Sequence, residues 1–366
     1  MGLLRLILAL AVVLEHSSQI FGYTLVGGRL AVQAFYIISG FYMSLILNEK
    51  YVGRGSYKLF ITNRFLRLYP IYWAVLTCTV LSSVFIYFYS GGATWGKLNL
   101  YVEHFHSMGL GNFLFAVLSN IFLFFQDAIY FFGLNTDNGS LYFTKYFGNE
   151  TMPFARFLMI PQAWTVGVEL LFYLIAPFIV RRSLKPVLAI LFTSLFLRIL
   201  LYSNGYDHDP WTYRFFPLEL FFFLLGNISY RMYKKINWKE IKPFFPKNAF
   251  YLMMAFTFIY SLLPIAETYK YGAYIILFAL CLPYIFEWTK NWKKDRYIGE
   301  LSYPVYIVHM LVLYFIDTVH IPEMAGGKGV SAILLSLIAA VLLNELIAKR
   351  IENVRQKRVL AAQIAE

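Results

Sequence analysis

Charge is scarce in this sequence: Asp, Glu, Lys and Arg together make up 14% of its 366 residues. Soluble domains carry roughly 25% charged residues, so this chain has too few to cover a surface that faces water on all sides. Hydrophobic residues reach 59% and aromatic residues 20%. Tyr and Trp suit the membrane–water boundary, where one end of the ring is apolar and the other is wet. The composition therefore predicts an integral membrane protein.

Cysteine is also rare, with Cys78 and Cys281 each inside an apolar run. This pair excludes a disulfide framework, and its spacing fits no metal site. The first apolar stretch contains Arg5, Glu15 and His16. Because a signal peptide avoids such residues in its apolar region, we interpret this stretch as the first membrane helix rather than a cleaved leader.

Ten apolar stretches approach the length of about 20 residues that a helix needs to cross a membrane. The predicted spans are 3–22, 28–47, 68–89, 157–180, 186–203, 214–231, 249–266, 271–288, 298–318 and 329–348. A shorter apolar piece, 113–126, is predicted to be a buried or interfacial helix within an ordered outer-face segment, 90–156. We expect an all-α polytopic membrane protein with about ten transmembrane helices, comprising a membrane domain over 1–348 and a short basic cytoplasmic tail over 349–366.

The basic residues orient these spans. The net charge of +12 comes from Lys and Arg in short connections, which fits membrane topology better than nucleic-acid binding. If the ten spans alternate, five basic clusters fall on one side, namely 48–67, 181–185, 231–247, 290–296 and 349–358. By the positive-inside rule that side is the cytoplasm, so both termini are expected there.

Several ionisable residues lie within the spans, where each costs roughly 2.5–3.5 kcal/mol by insertion scales. Arg5 and His16 are 11 residues apart, about three helical turns, so both project from one helix face about 16 Å apart along the axis. A cation near the cytoplasmic end and a titratable imidazole deeper inside fit an anionic cofactor that reaches inward. The alternative is a snorkelling arginine plus a hydrogen-bonded core histidine. Arg198 and Glu219, on neighbouring predicted helices, are best explained as a structural ion pair.

Five sequence blocks resemble the acyltransferase-3 family of membrane O-acyltransferases and occur in the family's order between residue 5 and about residue 310. The blocks are Arg5 to His16 on the first helix, Gly28 to Phe41 ending in Ser-Gly-Phe, Arg64 to Pro70, Trp164 to Pro177 containing Glu169, and Gly299 to His309. Any one block is weak, whereas five in order on this topology are a specific signal.

The resemblance implies transfer of an acyl group, usually acetyl, from cytoplasmic acyl-CoA to a hydroxyl of a cell-surface or lipid-linked glycan. Arg64 and Arg67, on one helix face, would bind the CoA phosphates, since guanidinium groups suit phosphate; an ordinary topology signal would also account for these charges. Arg5 would position the thioester. His16 would act as a general base or carry the acyl group transiently, and both remain open. Glu169 would set the tautomer or charge of the imidazole.

Two further residues are candidates for substrate binding. Trp164 could stack on a sugar ring, although aromatic residues at that depth are expected anyway. His309 could be a second proton-handling group, but a packed, hydrogen-bonded residue is the interpretation we favour. The expected partners are acyl-CoA, a glycan or lipid-linked sugar acceptor and membrane lipid, with no metal, in the cytoplasmic membrane of a bacterium.

Two rival functions are a transporter or flippase for a lipid-linked sugar, with buried charges as a proton relay, and a non-catalytic membrane scaffold. Transporters often show internal repeats and paired broken helices, and the sequence contains no visible sign of either. A scaffold would leave the buried His and Glu unexplained. The acyltransferase is therefore the preferred hypothesis.

Overall fold

The computed structural model describes residues 1–20 and 23–364 and consists mainly of helices. The α-helices are α1 Gly2–His16, α2 Gly27–Glu49, α3 Ser56–Tyr89, α4 Asn99–His104, α5 Leu110–Phe122, α6 Trp164–Ile179, α7 Leu184–Ser203, α8 Phe216–Lys235, α9 Phe244–Ile259, α10 Glu267–Thr289, α11 Lys293–Val319, α12 Lys328–Leu343 and α13 Lys349–Ile364. Residues 21–22, the end of the predicted first span, lie outside the described residues.

Within the described residues, seven helical stretches are long and apolar enough to cross a membrane. They coincide with seven of the ten predicted spans, and the prediction of a helical integral membrane protein is confirmed. The other three spans correspond to α1, α8 and α9, which are helical but shorter or less apolar than these seven. Ten crossings and two cytoplasmic termini remain predictions.

The helix α3 begins earlier than the predicted span, at Ser56 rather than residue 68. Gly53 and Gly55 precede it with φ of 81° and 77°, a left-handed conformation that glycine adopts without steric cost. The chain therefore turns there and the second half of the basic connection enters the helix. As a consequence Arg64 and Arg67 occupy one face of a regular helix, as their spacing predicts.

The predicted outer-face segment contains the predicted short helix, and it also contains a further short helix, α4, and a β-hairpin, neither of which was predicted. The helix α5 covers Leu110–Phe122, close to the expected 113–126. Beyond it, Phe132–Leu134 (β1) pairs antiparallel with Leu141–Phe143 (β2). Strands of three residues are too short for a recognisable alternation of apolar and polar residues, which explains why the all-α prediction missed this hairpin.

The chain forms two compact units. The first, called unit 1 below, comprises Met1–Arg67, Ile175–Leu191 and Phe221–Glu366, and the second, unit 2, comprises Leu68–Leu174 and Phe192–Leu220.

In unit 1, glycines bring helices into backbone contact. A Cβ on Gly2 would lie 1.6 Å from the carbonyl oxygen of Asp295, and one on Gly299 would lie 2.6 Å from the Cα of Gly2. Similarly, a Cβ on Gly40 would lie 1.9 Å from the carbonyl oxygen of Phe223. Small residues are the usual means by which membrane helices approach closely, because lipid offers no hydrophobic drive between helices. The seam between α1 and α11 is thus one of the tightest in unit 1.

The first turn of α1 is capped from another helix. The Asp295 carboxylate accepts hydrogen bonds from the backbone N–H groups of Gly2 and Leu3 at 2.6 and 2.8 Å. These are among the donors that a helix N-terminus leaves unpaired, and a negative charge there is favoured by the helix dipole. The cap fixes the start of α1 against α11.

Candidate functional site

The predicted face of α1 packs against α11. Arg5 donates through Nη2 to the Oγ of Ser302 at 3.0 Å, and the ring of His16 lies against that of His309, with centroids 5.2 Å apart. The residues contacted on α11 follow the same order as those on α1, so the two helices run parallel. The first and ninth predicted spans, to which they correspond, would do so if the ten spans alternate in direction. Arg5 and His16 therefore do project from one face, as their spacing predicts.

The hydrogen bonding of His16 determines its tautomer. Its Nδ1 lies 2.9 Å from the backbone carbonyl oxygen of Val12, one turn earlier on α1. A carbonyl only accepts, so Nδ1 carries the hydrogen and Nε2 keeps its lone pair in the neutral ring. The His16 side chain is exposed, unlike most of α1. In its neutral form the ring thus presents the lone pair of Nε2, which a general base or a nucleophile requires.

His309 is fully buried and has a similar tautomer. Its Nδ1 lies 2.6 Å from the carbonyl oxygen of Tyr306, so the hydrogen again resides on Nδ1. Its Nε2 is buried and has no hydrogen-bond partner among the described residues. A buried acceptor without a donor costs free energy, which distinguishes His309 from an ordinary satisfied core histidine. The favoured expectation of a packed, hydrogen-bonded residue holds for one ring nitrogen, and a role in substrate binding stays a prediction.

Arg64 and Arg67 lie on α3 at the predicted basic end. The Arg64 side chain is buried and hydrogen-bonds to the hydroxyl of Tyr51, which also receives a hydrogen bond from Asn63 at 3.2 Å. Arg67 is half-buried. Both Arg67 and Arg5 act electrostatically on Tyr42 of α2. Positive charge therefore continues within unit 1 from α3 to the start of the α1 face that holds His16.

Glu169 and Trp164 belong to unit 2. Glu169 is half-buried on α6 and accepts a hydrogen bond from the hydroxyl of Tyr173, one turn later. Trp164 is 4% exposed, with the Tyr213 ring 4.8 Å away and the Arg214 guanidinium 4.4 Å from its ring centroid. Little of this indole is therefore open to a sugar. The roles of Glu169 in orienting His16 and of Trp164 in sugar binding stay predictions.

Arg214 was not singled out by sequence reasoning. Its guanidinium forms a two-pronged ion pair with Asp209 at 2.8–3.0 Å and lies 3.7 Å from the Tyr130 ring centroid. The ion pair of Arg214 and Asp209 therefore lies among aromatic rings, those of Tyr130 and Trp164. Asp209 neutralises the charge of Arg214 there. A single arginine at the first residue of a predicted span gives no local signal of such a cluster.

The expectation for Arg198 and Glu219 is confirmed. Arg198 Nη2 lies 2.7 Å from Oε1 of Glu219, whose side chain is fully buried. The same guanidinium donates to the carbonyl oxygens of Thr212 and Leu218. The pair links α7 to the start of α8 within unit 2, a structural role.

Metal ligation finds no support in the described part of the chain, where no group of three or more His, Cys, Asp or Glu is arranged to hold an ion. Cys78 and Cys281 are both free thiols.

Comparison with known proteins gives a family. A family model described as an acyltransferase domain, that of the acyltransferase-3 family, matches residues 1–345. An uncharacterized protein of Aquifex aeolicus is 25% identical over 206 residues, which are 54% of this chain and 88% of that protein. "Protein 2 in picA locus" of Rhizobium radiobacter is 36% identical over 87 residues, which are 24% of this chain and 44% of that protein. No solved structure matches. This chain therefore belongs to the acyltransferase-3 family. Because it also has apolar helices long enough to cross a membrane, it is an integral membrane enzyme that transfers acyl groups.

Proposed function

We propose that this enzyme moves an acyl group, usually acetyl, from cytoplasmic acyl-CoA to a hydroxyl of a cell-surface or lipid-linked glycan. The observation that carries the proposal is the shared face of α1, where Arg5 and His16 are both held against α11. Arg64 and Arg67 add a basic cluster suited to phosphate. A cationic entrance followed by an imidazole matches a donor whose charged end stays in the cytoplasm while its thioester reaches inward.

In this mechanism the CoA phosphates bind at Arg64 and Arg67, and the pantetheine arm extends past Arg5. The Arg5 guanidinium, held by Ser302 at 3.0 Å, positions the thioester end. The distance from Arg5 to His16 along the helix axis, about 16 Å, is comparable to the extended arm. The thioester carbonyl carbon then lies near Nε2 of His16.

His16 acts through Nε2 in either of two ways. As a general base it removes the proton of the acceptor hydroxyl while the oxygen attacks the thioester carbonyl; the carbon–sulfur bond breaks and the CoA thiolate takes up the proton. As a nucleophile it forms an acyl-imidazole, which the acceptor hydroxyl then cleaves. In both cases Val12 fixes the required tautomer.

Three residues are proposed for the acceptor and for the imidazole. Glu169 stabilises the positive charge that His16 gains when it takes up a proton, and Trp164 contributes to the sugar site. The buried Nε2 of His309, which lacks a donor among the described residues, accepts a hydrogen bond from a substrate hydroxyl. The 5.2 Å contact between the two imidazoles supports a shared substrate group.

The test is an acylation assay with matched histidine variants. Wild type, His16→Ala and His106→Ala are expressed in cells that lack their own surface-sugar O-acylation, and membrane levels are equalised. His106 is an exposed histidine of the outer-face segment and serves as the control. Mass spectrometry then quantifies ester-linked acyl groups on surface glycans. We expect acylation in wild type and His106→Ala but not in His16→Ala.

A second measurement separates the two roles of His16. Purified enzyme is mixed with radiolabelled acetyl-CoA without acceptor, quenched and digested. Label on the peptide that contains His16, lost on treatment with hydroxylamine, indicates the acyl-imidazole; unlabelled protein from an active preparation indicates the general base.

The transporter hypothesis predicts a different outcome. A flippase would expose a lipid-linked sugar at the outer face without consuming acyl-CoA, and His16→Ala would change sugar export and not ester content. Acyl-CoA-dependent ester formation by purified protein would exclude both this hypothesis and the scaffold.

A further inference from the structure

The C-terminal helix α13 lies beyond residues 1–345, which the family model matches. It nevertheless packs against the basic end of unit 1. Arg358 donates through Nη2 to the hydroxyl of Thr62 on α3 at 2.8 Å, and Gln356 accepts from Lys50 at 2.8 Å. Val359 is 3% exposed. The tail that the sequence describes only as basic is therefore attached to the helix that bears Arg64 and Arg67.

Arg355 of α13 is buried in this contact, at 6% exposure. Its Nη1 forms an ion pair with Glu352 one turn earlier, and its Nε has no hydrogen-bond partner among the described residues. Arg64 and Arg67 both act electrostatically on Arg355. Three arginine side chains thus share one region of unit 1, with Glu352 as the acid paired to Arg355.

Such a grouping is unfavourable without an anion. Like charges repel, more strongly where burial reduces solvent screening, and a buried guanidinium with an unsatisfied N–H costs additional free energy. The neighbouring Tyr51 responds to this potential. Burial by itself raises the pKa of its hydroxyl, yet the pKa is lowered, because Arg64, Asn63 and Arg355 favour the phenolate. The region is therefore strongly electropositive and polarised for an anionic group.

We propose that Arg355 joins Arg64 and Arg67 to bind a phosphate group of the CoA donor, so that the segment beyond the family domain completes the donor site. This inference rests on the proposed function. A phosphate accepts several hydrogen bonds at once and pairs with guanidinium groups in their planar geometry. Arg64 and Arg67 approach it from α3, and Arg355 approaches it from α13.

The same chemistry belongs to phospholipid headgroups. The continuity of the cluster favours CoA: Arg67 also acts on Tyr42, on which Arg5 acts as well, so the positive region leads on to the α1 face that holds His16. A headgroup at the membrane surface would not require that continuation. The variants below separate the two sources.

The variants are chosen so that a binding role of Arg355 predicts changes of opposite sign in CoA affinity, whereas a purely structural role predicts none. Arg355→Gln removes the charge, and Arg355→Lys keeps it without the planar fork. Glu352→Gln removes the acid paired with Arg355 and leaves the arginine free for phosphate. Arg350→Gln removes an exposed arginine of the same helix and is the matched control. Arg64→Gln tests the donor site itself.

Purified proteins in phosphatidylcholine nanodiscs are titrated with CoA and with 3′-dephospho-CoA in a calorimeter, and their thermal unfolding is recorded. We expect Arg355→Gln to weaken CoA binding about ten- to hundredfold and Arg350→Gln to leave it unchanged. Glu352→Gln should tighten binding about two- to fivefold. If Arg355→Gln does not fold, Glu352→Gln and Arg355→Lys still decide, the latter by an intermediate affinity. Weakened binding of CoA but not of 3′-dephospho-CoA assigns the contact to the 3′-phosphate, and equal weakening of both assigns it to the diphosphate.

Other results overturn the inference. If CoA affinity is the same in wild type, Arg355→Gln and Glu352→Gln, Arg355 only holds α13 in place. If CoA binding is lost in Arg64→Gln alone, the donor site does not include Arg355. A thermal shift by phosphatidylglycerol that Arg355→Gln abolishes, with unchanged CoA affinity, assigns the site to lipid. A wild type that binds no CoA refutes the proposed donor and this inference together.

Discussion

The seam between α1 and α11 makes a sharp prediction for Gly299→Ala. A Cβ at this position would lie 2.6 Å from the Cα of Gly2 and 3.6 Å from Nη1 of Arg5. Carbon atoms in contact are about 3.5–4.0 Å apart, so the two helices must separate by roughly 1 Å. The nearest atom belongs to the backbone and cannot rotate away. The helix α1, and with it Arg5 and His16, has to move.

Two opposing terms set the magnitude. Alanine is favoured over glycine within a helix by about 1 kcal/mol, whereas forcing extra volume into a packed seam costs about 1–3 kcal/mol. We therefore expect a small net loss of stability. Activity should fall much further, by about a hundredfold, because a shift of about 1 Å in a catalytic group has that effect.

Gly272→Ala is the matched control. Gly272 lies inside α10 and has no atom within 4 Å of an added Cβ, so only the helix-propensity gain remains. Thermal unfolding and acyl transfer from acetyl-CoA are measured for both variants in the same detergent. Gly272→Ala should be slightly more stable than wild type and fully active. A Gly299→Ala variant that behaves like Gly272→Ala would refute the close contact and the positioning of Arg5 and His16 that depends on it.

Three further outcomes concern stability. Glu219→Gln should destabilise unit 2 by about 3–5 kcal/mol, because it leaves the Arg198 charge without its buried partner, whereas Arg198→Met with Glu219→Leu should be near wild type; equal losses in both would contradict this. Burial raises the pKa of Asp127 from 3.8 to about 6, so the folded protein binds this proton more tightly than the unfolded chain. The resulting contribution to stability is fully present below about pH 4 and is lost as the pH rises through 6. Wild-type thermal stability should decline from pH 5 to 7.5 by about 1.4 kcal/mol relative to Asp127→Asn, and parallel pH profiles would disprove it. Asp295→Ala removes the cap on α1 and should cost about 1 kcal/mol in thermal unfolding, with Asp317→Ala at the far end of α11 as the comparison.

Several features of the candidate site follow from the sequence because they depend on one helix at a time. The 11-residue separation of Arg5 and His16 determines that they share a face, and the spacing of Arg64 and Arg67 does the same, provided that the segments are helical. The hydropathy of the spans makes them helical, since only helices satisfy their backbone hydrogen bonds within lipid. The five ordered blocks predicted the family.

Other features depend on which helices are neighbours. Apolar residues face lipid and protein alike in a membrane protein, so hydropathy does not indicate the partner of a helix. The contact of His16 with His309 joins residues far apart in the chain. Arg355 is buried by helices distant in the chain, although the composition of its segment predicts a solvated tail. Arg214 likewise contacts an aromatic ring from a distant part of the chain, that of Tyr130.

The sequence by itself determined the membrane class, the family, the shared helix faces and the Arg198–Glu219 pair, because periodicity, composition and the cost of charge in lipid act locally or between adjacent spans. Tertiary structure alone decided that glycines draw α1 onto α11 and that α13 adds Arg355 to the arginines of α3. It also decided that His309 packs beside His16 with a ring nitrogen that has no hydrogen-bond partner among residues 1–20 and 23–364. Each of these arises from packing between helices that are distant in the chain, and such contacts leave no period in the sequence to be read.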